Sequence, residues 1–163
     1  MEHMSGRFSP VFLGPLPLLF LPFLPALSFG ASMQKPSTDI NPRECAQMSE
    51  PYVVERLAVW QQRLKLEDWK ISILMAHPSD LKPKTLGNIH WDAEKKAAVI
   101  RVLDASDYQL GCRDMLDDME FTVVHELIHL ELSSLPRSDA SRRDEEYAVN
   151  QIADALLKLD RRK

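Results

Sequence analysis

The stretch Val124-His125-Glu126-Leu127-Ile128-His129-Leu130 constrains this chain more than any other. His125 and His129 are four residues apart, one turn of an α-helix, so their imidazoles stand one above the other and can both reach one metal ion. Glu126 falls on the flank of that pair, where a carboxylate can take a proton from a water that the ion activates. The surroundings agree with a helix from about Arg113 to Leu135. Phe121, Val124, Leu127, Ile128, Leu130, Leu132 and Leu135 cover most of its circumference and predict a largely buried element. Its polar residues Asp118, Thr122, His125, Glu126, His129 and Ser133 form one thin stripe, as expected of a buried helix with one side on a cleft. Asp114, Asp117, Asp118 and Glu120 read as acids near the helix start, where the dipole favours them. Pro136 ends the pattern.

A catalytic zinc takes three protein ligands and leaves one position open. The five histidines are His3, His77, His90, His125 and His129, so no third histidine follows the motif. The next donors are Glu145 and Glu146, at the start of a second amphipathic pattern from Asp144 to about Leu159. The short polar connection Pro136–Arg143 permits an antiparallel helix pair that brings them back over the histidines. Glu145 projects near the middle of an apolar arc of Ala148, Val149, Ile152, Ala153, Leu156 and Leu157, and Glu146 at its edge; both could point at the neighbouring helix. Asn150 favours Glu146, because one turn further on it could accept a hydrogen bond from a ligand histidine's other ring nitrogen.

Glu146-Tyr147-Ala148-Val149-Asn150-Gln151-Ile152-Ala153 resembles the E-x-x-A-[ND]-x-x-A pattern that follows H-E-x-x-H in several glutamate-zincins (gluzincins). With Leu156 and Leu157, the run is similar in particular to a segment of ImmA/IrrE-type metallopeptidases. It departs from that segment by Val149 in place of alanine and by lacking a proline after the leucines. The resemblance covers His125–Leu157. It implies zinc held by His125, His129 and Glu146, with Glu126 as the general base of a metallopeptidase.

Upstream, Tyr52–Leu66 repeats Val53, Leu57, Trp60 and Leu64 at helical spacing. Trp69–Met75 alternates as a strand, and Leu86–Trp91 and Lys96–Leu103 read as two more, joined by a turn at Asp92-Ala93-Glu94-Lys95. His77-Pro78-Ser79-Asp80 and Lys82-Pro83-Lys84 mark a loop. The expected class is α+β: an N-terminal helix, a small three-stranded sheet, the H-E-x-x-H helix and a C-terminal ligand helix. That is the layout of a minimal zincin fold, similar to SprT-like and ImmA/IrrE-type cores. In such domains an edge strand above the metal pairs with the substrate backbone, and the resemblance offers Leu86–Trp91 or Lys96–Leu103 for that role.

Residues 51–163 form the expected domain and residues 1–50 an apolar, proline-rich segment followed by a linker. Val11–Phe29 follows Arg7 and reads as a secretory signal or membrane anchor, with small residues within Leu27–Ser32 for cleavage. Five prolines from Pro10 to Pro25 and a weak basic region argue the other way, and translation from Met33 or Met48 would leave a cytoplasmic chain. A membrane is a partner only if the segment is kept as an anchor. The net charge of −4, with dispersed basic residues, argues against nucleic acid, and the Arg161-Arg162-Lys163 tail reads as complementing a helix C-terminus. Cys45 falls in the linker, so Cys45 and Cys112 read as free thiols. His77 and His90 read as ordinary loop and strand residues; His90, Tyr108 or Tyr147 could also line the cleft as an oxyanion stabiliser.

The leading expectation is a zinc-dependent peptidase acting on a peptide or protein. The alternatives are a zincin-fold regulatory module that binds metal without turnover, and a zinc amidohydrolase acting on another amide. Retention of Glu126 argues against the silent module.

Overall fold

The computed structural model of the chain describes residues 41–136 and 138–162. The apolar Val11–Phe29 segment and its possible cleavage site lie outside those residues. The class is α+β: three helices and a three-stranded mixed sheet. Helix α1 spans Pro42–Arg63, α2 Cys112–Glu131 and α3 Asp139–Asp160, while strands β1, β2 and β3 span Lys70–Ala76, Gly87–Asp92 and Ala97–Leu103. No helix among the described residues is long and apolar enough to cross a membrane.

Helix α1 starts well before Tyr52, inside the stretch that reads as linker. Asn41 caps it by accepting from the Arg43 N–H at 3.0 Å, and Pro42 occupies the first turn, where its missing N–H costs nothing. The helix continues through Pro51, a residue that removes one internal hydrogen bond and normally marks a boundary. Tertiary links hold the turns ahead of it. Cys45 is 3% exposed and forms a disulfide with Cys112 at the start of α2, with Cα atoms 5.8 Å apart. The free-thiol expectation is therefore corrected: Cys45 belongs to a packed helix, close enough to the head of α2 to bond.

Strand order is β1-β3-β2, with β3 parallel to β1 and antiparallel to β2. The β2–β3 turn is held by the Asp92 carboxylate, which accepts from the Glu94 and Lys95 N–H groups at 3.1 Å each. Period-two alternation places Ile71, Ile73, Met75, Ala98, Ile100, Val102, Ile89 and Trp91 on one face, in the main core. Ser72, Leu74, Val99 and His90 lie on the other face, exposed. Because β3 is central, β2 is the edge strand of the two named above.

Helix α2 is the centre of the molecule, touching α1, α3, β2 and β3. Met119, Val123, Val124 and Leu127 are fully buried, and Leu130 is 2% exposed. Leu135, expected to help cover the helix, lies beyond its end and is 56% exposed. Helix α3 runs antiparallel to α2: Glu145 meets His129, Asn150 meets His125 and Arg161 pairs with Asp117. Arg161 thus serves an inter-helix ion pair rather than only a helix end.

Glu120 also departs from its expected role. It is 5% exposed and accepts hydrogen bonds from Tyr52 Oη at 3.1 Å, Arg56 Nε at 2.7 Å and Trp60 Nε1 at 2.7 Å. Those donors are spaced four residues apart on α1, so one carboxylate bolts two turns of α1 to α2. Burial and the Glu120 charge push the Tyr52 hydroxyl up to about 12.

Candidate metal centre

The thin polar stripe of α2 faces an open cleft of about 500 Å³, whose lining includes Asp118, Thr122, His125, Glu126 and His129. The other walls come from β2, the loop before it, and α3. Gly87 brings β2 down onto the stripe. A Cβ there would overlap the Thr122 methyl and lie 2.7 Å from the Arg101 carbonyl oxygen, so only glycine permits this approach.

The two imidazoles meet through their outer nitrogens, with His125 Nε2 and His129 Nε2 3.0 Å apart. Glu146 reaches both, Oε2 at 3.4 Å from His125 Nε2 and Oε1 at 3.4 Å from His129 Nε2. The inner nitrogens are engaged elsewhere. His125 Nδ1 lies 3.1 Å from Asn150 Oδ1, and His129 Nδ1 lies 2.9 Å from Glu145 Oε1. Both partners are acceptors, so each Nδ1 carries the proton and each Nε2 of a neutral ring presents a lone pair. Burial, and then the neighbouring His129, push the His125 imidazole below its ordinary value, which favours the neutral form. Two lone pairs and a carboxylate therefore converge on one point. Such a donor set repels itself unless a proton or cation lies among its members, and a cation with nitrogen and oxygen preference fits it.

Glu145 and Glu146 divide the work between them. Helix α3 begins at Asp139, capped by Ser138, whose hydroxyl accepts from the Ser141 N–H at 3.1 Å. Both glutamates thus lie well inside the helix rather than at its start. Glu145 buttresses His129 from behind while Glu146 faces the nitrogen pair.

Glu126 is 7% exposed, beside the ligand cluster, and accepts no hydrogen bond from the described residues. Burial, and then the Glu146 charge, push its carboxyl up to about 7, while Lys82 pulls the other way. Asp118 accepts from Tyr108 Oη at 2.9 Å, and burial holds its carboxyl above the usual range. Tyr108 is thereby engaged by Asp118, Tyr147 is 69% exposed away from the cleft lining, and His90 projects from the opposite face of the sheet. His77 pairs with Asp107 at 2.7 Å in an exposed loop. Sequence reasoning passed over Lys82, Lys84 and Arg142, which also line the cleft; a lysine-proline-lysine run was the available signal.

Comparison with protein-family models, with curated proteins and with solved structures gives no match.

Proposed function

We propose that the chain is a zinc-dependent peptidase of zincin type. The convergence of His125 Nε2, His129 Nε2 and Glu146 beside a buried Glu126 that accepts no hydrogen bond from the described residues carries the reading. His125, His129 and Glu146 would hold the ion. When bound, zinc supplies Lewis-acid polarisation of a carbonyl and lowers the pKa of water.

The chain's own residues supply the remainder. Glu145 and Asn150 fix the tautomer and orientation of the two imidazoles, so their Nε2 lone pairs stay aimed at one point. Glu126 is the proton acceptor: a carboxyl poised near neutrality can take a proton from the attacking water and return it to the leaving amine. Burial keeps bulk water from competing for its oxygens. Strand β2, bordering the cleft, has an edge that no other described strand pairs, and its N–H and C=O groups there can align an extended peptide. That feature favours a peptide over a small amide as substrate.

The test is hydrolysis of an unfolded protein by the purified full chain. Activity should disappear with chelator and return with one equivalent of zinc. Hydrolysis that survives exhaustive chelation would overturn the proposal.

A further inference from the structure

The loop between β1 and β2 contains a tight turn at Lys82–Thr85, next to the Glu126 end of the cleft. The Thr85 N–H donates to the Lys82 carbonyl at 3.1 Å, and the Thr85 hydroxyl donates to the same oxygen at 2.8 Å. Pro83 occupies the second position and Lys84 the third, with φ of 66°. This is the pattern of a type II turn, whose third position ordinarily belongs to glycine or asparagine. A lysine there bears backbone strain that glycine would avoid. Lys65 and Lys96 also take positive φ, 56° and 49°, so the turn geometry fixes where Lys84 stands and does not by itself assign it a role.

Both lysines line the cleft. Neither ammonium group has an ion-pair or hydrogen-bond partner among the described residues. Among the acids lining the same cleft, Asp118 is engaged by Tyr108, Glu145 by His129 and Glu146 by both imidazoles, while Glu126 feels the Lys82 charge, which pulls its carboxyl down. The turn leads through Leu86 into Gly87, whose close packing on Thr122 beside Glu126 fixes where the lysines stand. Two lysines without an ion-pair or hydrogen-bond partner among the described residues are thus held by a hydrogen-bonded turn next to the candidate catalytic carboxylate.

We propose that Lys82 and Lys84 form a carboxylate-recognition subsite, so that the cleft selects peptides with a carboxylate close to the cleaved bond. The inference rests on the peptidase reading and names its substrate class. Lysine is a compact point charge without the planar fork of arginine. The subsite should therefore accept an acidic side chain or a free C-terminal carboxylate by the same contact.

Four peptides of one sequence separate these sources: a central glutamate or glutamine, each with a free or amidated C-terminus. With the zinc-loaded full chain, a carboxylate should raise kcat/KM about fivefold to tenfold, as two partly exposed ion pairs allow. Whether the side chain or the terminus produces the gain identifies the source. The preference should fall to about one in the Lys82→Ala/Lys84→Ala double variant and reverse in Lys84→Glu. Lys84→Asn keeps a residue that tolerates the turn geometry, so loss of preference there is loss of charge and not misfolding. Binding of the same peptides to the metal-free full chain, followed by calorimetry, gives a readout independent of turnover. Carboxylate-dependent binding without hydrolysis would keep the subsite and remove the peptidase. Hydrolysis with equal rates for all four peptides, or a preference untouched in the double variant, would overturn the subsite and leave the peptidase standing.

Discussion

Glu120 and Glu126 sit on the same helix, six residues apart, almost equally buried at 5% and 7% exposure, and they meet opposite environments. Glu120 faces α1 and receives three hydrogen bonds, from Tyr52, Arg56 and Trp60. Glu126 faces the cleft and receives none from the described residues, so its carboxyl is pushed up to about 7. A buried carboxylate surrounded by donors stabilises a fold; one left without them keeps its capacity to accept a proton. The two faces of α2 therefore divide structure from chemistry, and the side chains that differ between them are the ones to change.

The largest effect on stability should come from the α1 face. Glu120→Ala strands Arg56 and the Trp60 N–H and should cost about 3–5 kcal/mol in denaturant unfolding. A loss below about 1 kcal/mol would mean that the triple contact adds little and that the two faces are less distinct than their hydrogen bonds imply.

On the cleft face, Glu146→Ala should cost more in zinc affinity than either supporting variant. Glu145→Ala and Asn150→Ala should each weaken zinc about tenfold to a hundredfold, the scale for residues that orient a ligand. Competition with a chromophoric chelator gives the ranking. If Glu145→Ala lost more zinc than Glu146→Ala, the roles of the two glutamates would be exchanged.

The disulfide belongs to the structural face. Cys45→Ser with Cys112→Ser should lower stability by about 2–4 kcal/mol while zinc stoichiometry stays at one. Loss of zinc in the folded variant would tie the head of α2 to the metal centre.

The most gradual expected effect is a pH dependence. The folded carboxyl of Glu126, at about 7, lies above its ordinary 4.5, so between those values the folded protein holds a proton that the unfolded chain has released. In the metal-free protein, stability should accordingly fall as pH rises through that window, by at most about 3 kcal/mol. Glu126→Gln should flatten that slope. A slope unchanged in the variant would assign it to other groups.

What the sequence revealed follows from where periodicity carries information. His125 and His129 four apart, and Asn150 four beyond Glu146, needed only the helical repeat, and the three strands needed only alternation. Helix α3 began earlier than expected because its first turn, Asp139 to Arg142, has no large apolar residue to mark it. Cys45 was misplaced because Pro51 reads as a boundary, whereas the packed helix continues through it. Glu120 looked like a helix-start acid because its three donors lie 60 to 68 residues away in sequence. Lys82 and Lys84 stand in a turn, where no repeat reports direction.

Side-by-side measurement of zinc content, thermal unfolding and hydrolysis of an unfolded protein in Glu120→Gln and Glu126→Gln tests the division most directly. The account predicts that Glu126→Gln stays folded with one zinc and loses at least about a hundredfold in rate. Glu120→Gln should unfold at lower temperature yet hydrolyse at close to the normal rate while folded. Near-normal turnover by zinc-loaded Glu126→Gln would contradict it.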